Sequence, residues 1–420
     1  MKLQFLLRKL SLSVVTLTLL GSAFAQKPGS TPPRQEKLLN GLKVLMWNNP
    51  TADMVTIKIR VHSGSAFDPQ DKEGVTKLLA DTIFPNAAAK DFFTDDLGGS
   101  LDITSNYDFI QITATAKTAE FLTMLETLAA AVSNPVIDKE TTAAVKIVHL
   151  GKLAELEKDP SYVADRAVAK RLFGTFPYGR PQMGTPASIQ KIDFVDLKFA
   201  KDRFFSADNA TVAISGNFNS DLGFRAVRRY FGSWLKSDKK IPSTFKQPDE
   251  PDTAPVEVAM PDAAGSQVRY ALRGLARNDK DYAASEILSR ILDSRFKTAV
   301  NSGPDTSVIN NAHILPGTIV YRNASSGRSD QKLATGIAAA ISMDEFSKAK
   351  AEILAANAKR PIDEFWLDAD TYKFVLTDEH MAFQNAALAD VQRVAVRLAK
   401  NPVVSVTVQA AAPVAVNDKD

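Results

Sequence analysis

Cysteine is absent from the 420-residue chain, and histidine occurs only four times. The lack of cysteine excludes disulfides, thiolate metal sites, a cysteine nucleophile and lipid attachment through cysteine. The histidines His62, His149, His313 and His380 are far apart, and none has a histidine or carboxylate partner one helical turn later. The fold must therefore depend on its hydrophobic core alone, and no metal centre is expected in this chain.

Long apolar runs are lacking after the N-terminal segment, so no later part of the chain is expected to span a membrane. Residues 1–25 have Lys2, Arg8 and Lys9 as a basic start, continue with an apolar stretch over 10–20 and end in Ala23-Phe24-Ala25. This order is typical of a cleaved secretory signal. We expect the mature chain to begin near Gln26 and to be periplasmic; a retained N-terminal anchor is the alternative.

A charge of one sign is lacking as well. The chain has 51 basic residues, three of them in the signal segment, so the 48 that remain equal the 48 acidic residues. This balance gives no electrostatic attraction toward nucleic acid or an anionic membrane. With 45% apolar and 24% charged residues, the composition is that of an ordinary globular protein long enough for two domains with separate cores.

The first half, 37–235, shows strand and helix patterns in alternation after a proline-rich leader at 26–36. Alternating apolar and polar residues predict half-buried strands, and apolar residues at helical spacing predict amphipathic helices. The predicted strands are 54–61, 100–106, 109–116 and 210–215, and the predicted helices are 74–84, 118–132, 138–158 and 161–173, with a further helix that includes Leu222 and Phe231. This order predicts an α+β domain.

A polar, proline-containing segment at 236–253 is the predicted linker to a second half at 254–412, which precedes a tail at 413–420. The second half repeats the outline of the first. Its predicted elements are a strand at 267–273, helices at 281–300 and 384–399, and a strand at 403–408. Two copies of one α+β unit therefore explain the pattern with the fewest assumptions.

Several short motifs give the chain a family resemblance. They are L-N-G-L-K-V at 39–44, a helix between Gly74 and Phe84, L-G-G-S-L-D-I-T at 97–104, F-P-Y-G-R-P at 176–181 followed by Gly184 and Ser188-Ile189, and D-V-Q-R-V-A at 390–395. Together and in this order, they resemble the M16 (pitrilysin/insulinase) metallopeptidases. The resemblance implies two homologous α/β-sandwich domains of the M16 (LuxS/MPP-like) type.

The resemblance also locates a zinc site that this chain does not preserve. The zinc-binding helix of the family carries the motif H-x-x-E-H. When Gly74 and Phe84 are aligned with the residues that flank this helix in the family, Lys77 and Asp81 stand at the histidines and Ala80 stands at the catalytic glutamate. An ammonium group has no lone pair for a metal, and a methyl group cannot take a proton from water. Lys77 and Asp81 are one helical turn apart, so an ion pair between them is expected to fill the former site.

The third zinc ligand of the family is a glutamate that precedes an acidic-Pro turn. Counting back from Asp159-Pro160 places Gly151 and Lys152 at the two acidic positions, so the resemblance implies that all three ligands are missing. His149 lies close by in sequence, but one histidine without a partner on the other helix makes a poor zinc site. No cofactor is expected in this chain, and zinc is expected in a partner.

The family also implies where a peptide would bind. Its substrates extend along an edge strand beside the zinc helix, and the corresponding residues here are Leu101, Asp102, Ile103, Thr104, Ser105 and Asn106. An Arg and a Tyr from the second half hold the substrate carbonyl in the family. Asn301 stands at that Arg and Thr306 near that Tyr, while Arg295 matches the start of the motif. The alternatives are an ordinary sheet strand at 101–106 and a surface or capping role for Arg295.

Three functions fit these observations. The first is a noncatalytic M16 subunit that pairs with a zinc-bearing M16 homologue, as a heterodimer, to form a peptide-binding and peptide-degrading chamber in the periplasm. The second is a stand-alone peptide-binding or scaffolding protein, monomeric or homodimeric. The third is an active zinc metallopeptidase with unrecognised ligands. By itself the chain is expected to lack peptidase activity.

Overall fold

The computed structural model describes residues 32–237, 245–261, 265–299, 305–324 and 333–410. The predicted signal at 1–25 and the tail at 413–420 lie outside these residues. In the part of the chain that is described, no helix is both long and apolar enough to cross a membrane. Two β-sheets with helices packed on them form the fold.

The first half contains a six-stranded sheet with the order β1-β2-β6-β3-β5-β4. Its strands are β1 (Arg34–Lys37), β2 (Lys43–Asn48), β3 (Met54–Val61), β4 (Ser100–Ser105), β5 (Ile110–Lys117) and β6 (Ala210–Gly216). Its helices are α1 (Val75–Asp81), α2 (Ala88–Asp91), α3 (Phe121–Ser133), α4 (Lys139–Leu156), α5 (Pro160–Phe173), α6 (Pro186–Lys191), α7 (Phe194–Phe204) and α8 (Ser220–Phe231). Strand β1 takes in the last three residues of the predicted leader.

Local sequence explains these elements well. In β5, buried and partly buried residues alternate strictly, as expected for a strand with one face on a core. Helix α3 buries Phe121, Leu125, Leu128 and Val132 at helical spacing. Helix α5 begins where Asp159 accepts a hydrogen bond from the Ser161 amide and Pro160 occupies the first turn.

The second half contains a five-stranded sheet with the order β7-β11-β8-β10-β9. Its strands are β7 (Val256–Met260), β8 (Gln267–Arg273), β9 (Ser307–Asn311), β10 (Thr318–Asn323) and β11 (Val404–Ala410). Its helices are α9 (Tyr282–Thr298), α10 (Leu333–Ala338), α11 (Met343–Lys359), α12 (Ile362–Tyr372), α13 (Leu376–Asn385) and α14 (Leu388–Leu398). The helix predicted at 384–399 is confirmed as α14, but it begins four residues later than predicted, because α13 ends at Asn385 and two residues separate the helices.

Each half contributes one helix that packs on the sheet of the other half. Helix α5 of the first half packs on β8 and β11 of the second, where Val168 and Leu172 join the cluster of Val404 and Val406. Helix α12 of the second half covers the first sheet, where Leu367 packs on Leu45. Each sheet thus has its own helices on one face and a helix from the other half on the opposite face.

Buried charges hold α12 on the first sheet. Lys58 Nζ lies 2.9 Å from Asp363 Oδ1 and 2.7 Å from Glu364 Oε1. Arg60, whose side chain is 2% exposed, contacts Glu364 at 2.6 Å and Asp368 at 2.7 Å. The interpretation of 54–61 as a half-buried strand is therefore wrong on one point, because its polar positions lie beneath α12. We call these ion pairs of Lys58 and Arg60 with α12 the interdomain clasp.

Candidate functional site

Helix α1 stands where the sequence predicts a degenerate zinc helix, and a buried carboxylate fixes its start. Asp68 accepts hydrogen bonds from the amides of Gly74 and Thr76 at 2.8 and 2.9 Å and from the Thr76 hydroxyl at 2.6 Å. Burial raises the pKa of Asp68 to about 7, against the lowering effect of these hydrogen bonds. Gly74 has φ 101°, which favours glycine, and an added Cβ would lie 2.5 Å from Ile189 Cδ1.

The predicted ion pair on α1 is confirmed. Lys77 Nζ donates to Asp81 Oδ1 at 2.5 Å, and the two side chains are only 17% and 21% exposed. Burial acts to raise the pKa of Asp81, but the neighbouring His149 ring and the Lys77 ammonium group outweigh it, so this pKa lies below its usual value. Asp81 is therefore an anion at neutral pH, held by the lysine beside it.

His149 of α4 completes the cluster from the other side. Its side chain is fully buried, and Nε2 lies 2.7 Å from the Met183 carbonyl oxygen. Because a carbonyl only accepts, Nε2 must carry the proton of this hydrogen bond. Nδ1 points toward Asp81 Oδ2 at 3.7 Å, beyond hydrogen-bond distance, and has no hydrogen-bond partner among the described residues. Lys77, Asp81 and His149, which we call the α1 plug, thus occupy the former site.

The other positions that the family resemblance assigns to the zinc site are Ala80, Gly151 and Lys152, and of these Lys152 is near enough for its charge to lower the pKa of Asp81. Ala80 is fully buried in the core of the first half. Gly151 and Lys152 are exposed on α4, and a Cβ added at Gly151 would meet no atom within 4 Å. The inward stripe of α4 consists of Thr142, Val145, His149 and Leu153. Helical periodicity would have singled out His149 rather than 151 or 152 as the residue facing α1.

The residues present do not fit a zinc ion. Asp81 and His149 offer two donors, and one Asp81 oxygen already binds the Lys77 ammonium group. A protein zinc site needs three or four nitrogen, sulfur or oxygen ligands. Within the described ranges, no group of three or more His, Asp or Glu side chains could hold a metal ion. The chemistry available at the α1 plug is therefore charge pairing, not activation of water.

Strand β4, the predicted peptide-binding strand, lies at an edge of its sheet and packs beside α1. The Asn106 amide donates to the Phe109 carbonyl at 3.0 Å, which marks this pair as hydrogen-bonded across β4 and β5. Because such pairs alternate with non-bonded ones, the amides and carbonyls of Leu101, Ile103 and Ser105 point away from β5. No described strand covers this side, so β4 offers three residues for pairing with an extended chain.

Of the three second-half residues predicted to contact substrate, Arg295 and Thr306 lie in the described part of the chain. Arg295 contacts Glu345 at 2.7 Å and donates to the carbonyls of Gly336 and Ala340 at 3.0 and 2.6 Å. It therefore joins α9 to the end of α10 and the start of α11, which is the capping role considered as the alternative. Thr306 is buried beside β9, and Asn301 lies outside the described residues.

Two family models match the chain. The family model described as "Insulinase (Peptidase family M16)" matches residues 43–186, and the one described as "Peptidase M16 inactive domain" matches residues 191–312. An "Uncharacterized zinc protease" of Rickettsia felis is 23% identical over 210 residues, covering 48% of this chain and 50% of that protein. A "Non-peptidase homolog YmxG" of Helicobacter pylori is 25% identical over 217 residues, covering 49% of each. The chain thus spans about half the length of the curated relatives it matches.

Solved structures show the same fold. A protease from Helicobacter pylori superimposes with a TM-score of 0.82 at 18% identity, covering 90% of this chain and all of that one. A structure described as a peptidase M16 inactive domain, from Pseudomonas fluorescens, gives a TM-score of 0.77 at 18% identity, with 91% and 100% coverage. The predicted α+β architecture with two sheet-containing domains is confirmed.

Proposed function

Because the chain belongs to the M16 family of peptidases, we propose that it is a noncatalytic M16 subunit that pairs with a zinc-bearing M16 homologue. In this role it supplies peptide-binding wall surface, and the homologue supplies the zinc and the catalytic glutamate. The site of action is the periplasm, reached by the N-terminal secretory segment. Zinc is a cofactor of the partner, not of this chain.

One observation carries the proposal: the open edge of β4 lies beside a helix whose metal positions are closed by the α1 plug. An edge strand binds an extended peptide through backbone hydrogen bonds and needs no particular side chain. Peptide binding can therefore persist after the loss of the three ligands. The names of the relatives are compatible with an active peptidase and with a noncatalytic protein, since one relative is called a zinc protease and another a non-peptidase homolog.

Ser105 gives the sharpest test of the binding edge. Its amide points outward, so Ser105→Pro removes a donor to the peptide without removing a hydrogen bond between β4 and β5. Ser105→Ala keeps the amide and serves as the matched control. We expect Ser105→Pro to weaken the affinity for an extended peptide at least about five-fold, the equivalent of one net hydrogen bond, and Ser105→Ala to leave it unchanged.

Partner association is measured in parallel by gel filtration and calorimetry with a zinc-bearing M16 homologue from the same source. Association at micromolar concentration and a peptide affinity that depends on the Ser105 amide support the proposal. Peptide binding without association identifies the chain as a stand-alone binding protein instead. Peptide cleavage by the isolated chain, with stoichiometric zinc, overturns the noncatalytic assignment.

A further inference from the structure

Strand β1 forms the edge of the first sheet opposite β4, and α8 lies alongside it. At one end of this pair, Arg34 Nη1 contacts Asp221 Oδ1 at 2.6 Å. At the other end, the Asn40 side chain donates to the carbonyls of Phe231 and Trp234 at 2.8 and 2.9 Å. Strand and helix are therefore held side by side. Five interstrand spacings separate β1 from β4, so the two edges lie roughly 24 Å apart.

Positive charge is concentrated on this side of the sheet. The segments 34–41 and 220–237 contain six basic residues and two acidic ones, whereas the chain after the secretory segment is balanced. Both acidic residues, Glu36 and Asp221, pair with Arg34. The other five basic residues are exposed and form no ion pair with a described residue; they are Lys37, Arg225, Arg228, Arg229 and Lys236.

Helix α8 keeps its three arginines on one face. Its opposite, buried face consists of Gly223, Ala226, Val227 and Phe231. Arg228 and Arg229 have no carboxylate one helical turn away in either direction, and the aspartate one turn before Arg225 is the one paired with Arg34. A basic amphipathic helix of this kind is suited to an anionic membrane surface.

Exposed leucines flank these cations. Leu39, in the turn between β1 and β2, is fully exposed, and Leu235, after α8, is 73% exposed. The hydrogen bond from Asn40 to Trp234 brings these two leucines to the same end of the surface. Leu222 is exposed near the start of α8. A single exposed leucine is ordinary, but leucines beside unpaired cations are the combination with which peripheral proteins enter the headgroup region of a bilayer.

We propose that this surface docks the chain on an anionic lipid bilayer. We call it the basic edge, and it comprises Lys37, Leu39, Leu222, Arg225, Arg228, Arg229, Leu235 and Lys236. The cations contact lipid phosphates, and the leucines enter the boundary between headgroups and acyl chains. The balanced net charge does not oppose this, because charges act on a membrane only within a Debye length of about 8–10 Å.

The secretory route favours a lipid surface over an acidic protein as the occupant. The apolar stretch at 10–20 precedes β1 by 13 residues, which reach at most about 45 Å. Until the proposed cleavage, the basic edge is therefore the part of the fold tethered nearest to the membrane. The inference goes beyond the proposed function, because the basic edge and the peptide edge are opposite borders of one sheet.

The test is cosedimentation with vesicles at physiological ionic strength. The protein is the mature chain from Gln26, so that the apolar stretch at 10–20 does not contribute. One set of vesicles is phosphatidylcholine alone, and the other is an equal mixture of phosphatidylcholine and phosphatidylglycerol. We expect the anionic vesicles to bind the chain at least about ten-fold more strongly, since each basic residue near an anionic surface contributes about five-fold.

The triple variant Arg225→Gln, Arg228→Gln, Arg229→Gln should lower binding to the anionic vesicles at least about ten-fold. The matched control removes three exposed cations of the second half and changes the net charge equally; it is Lys348→Gln, Lys359→Gln, Lys400→Gln. This control should bind like the wild type.

The double variant Leu39→Ser, Leu235→Ser should lower binding at least about five-fold, because two apolar side chains no longer enter the bilayer. Ile147→Ser removes an apolar side chain that is 72% exposed on α4 and should have no effect. Ser105→Pro, on the opposite edge of the sheet, should bind vesicles like the wild type.

Equal binding to both kinds of vesicle, or no binding to either, overturns the proposal. An equal loss in the arginine variant and its lysine control also overturns it, since binding would then follow net charge. Binding that needs the arginines but not the leucines overturns the lipid assignment in favour of a soluble polyanion such as an acidic protein. None of these results changes the peptide assay with Ser105→Pro, so failure of the inference is distinguishable from failure of the proposed function.

Discussion

Replacement of Arg60 by methionine tests the interdomain clasp. The Arg60 side chain is 2% exposed and reaches Glu364 at 2.6 Å and Asp368 at 2.7 Å, both on α12. Its guanidinium also lies 4.0 Å from the centre of the Phe109 ring. Methionine fills much of the same volume but leaves the buried Asp368 and the half-buried Glu364 with one cation fewer.

The expected loss of unfolding free energy follows from these contacts. Removing one partner of a buried ion pair costs roughly 3–5 kcal/mol. The lower end applies here, because Asp368 keeps Arg360 at 2.5 Å and Glu364 keeps Lys58 at 2.7 Å. Burial acts to raise the pKa of both carboxyls, yet their basic neighbours hold each pKa below its usual value, so both remain charged. We expect Arg60→Met to cost about 3 kcal/mol.

Urea unfolding followed by tryptophan fluorescence measures this loss. Trp47 of β2 and Trp366 of α12 lie edge to face, 6.2 Å apart, so their emission reports on separation of α12 from the first sheet. Lys158→Met is the control, since its ion pair with Glu155 is more than two-thirds exposed on both sides and should contribute less than about 1 kcal/mol. A loss for Arg60→Met no larger than that of the control would refute the role assigned to the clasp.

Three further predictions concern α1 and β4. Ala80→Glu should destabilise the chain by about 2 kcal/mol or more in urea unfolding, because it places a carboxyl without a partner in the core. Asp81→Asn should lower the free energy of unfolding at neutral pH, as measured by urea titration. Because folding lowers the pKa of Asp81, the difference in unfolding free energy from wild type should be complete above about pH 4 and should shrink as the pH falls below that value. Ile103→Glu should lower the urea midpoint and Thr104→Glu should not, because Ile103 packs on the core whereas Thr104 is exposed.

Local periodicity was sufficient for much of the first half. Strand β3 begins and ends where its alternating pattern predicts, and the neighbouring α3 and β5 fall within a few residues of their predicted bounds. What the pattern cannot provide is the partner of a polar residue. Lys58 and Arg60 look like solvent-facing positions of an amphipathic strand, yet their partners lie about 300 positions later on α12. A charge buried by a distant helix has the same local sequence as an exposed one.

The site was predictable to a similar degree. The family frame placed Lys77 and Asp81 on one helix face, and the structure joins them. It did not place His149 against Asp81, although the buried stripe of α4 would have predicted an inward position for that residue. The edge position of β4 depends on strand order, which is a tertiary property with no local signal.

Arg295 was assigned to substrate binding with a surface or capping role as the alternative, and its contacts favour the capping role. The residue matches the family motif in sequence, but its side chain forms an ion pair with Glu345 and hydrogen bonds with the carbonyls at the end of α10. A cation at the end of α9 can satisfy orphan carbonyls of a neighbouring helix as readily as it can hold a substrate. Only the positions of α10 and α11 decide between these roles.

The proposed role is that of a noncatalytic chain that completes the chamber of a zinc-bearing M16 homologue. The most direct measurement is the peptidase activity of that homologue, assayed with an extended peptide, alone and with increasing amounts of this chain. We expect no cleavage by this chain alone, a rise in the homologue's activity that saturates at one chain per homologue, and a smaller rise with Ser105→Pro than with Ser105→Ala. Full activity of the homologue alone, unchanged by the added chain, would contradict it.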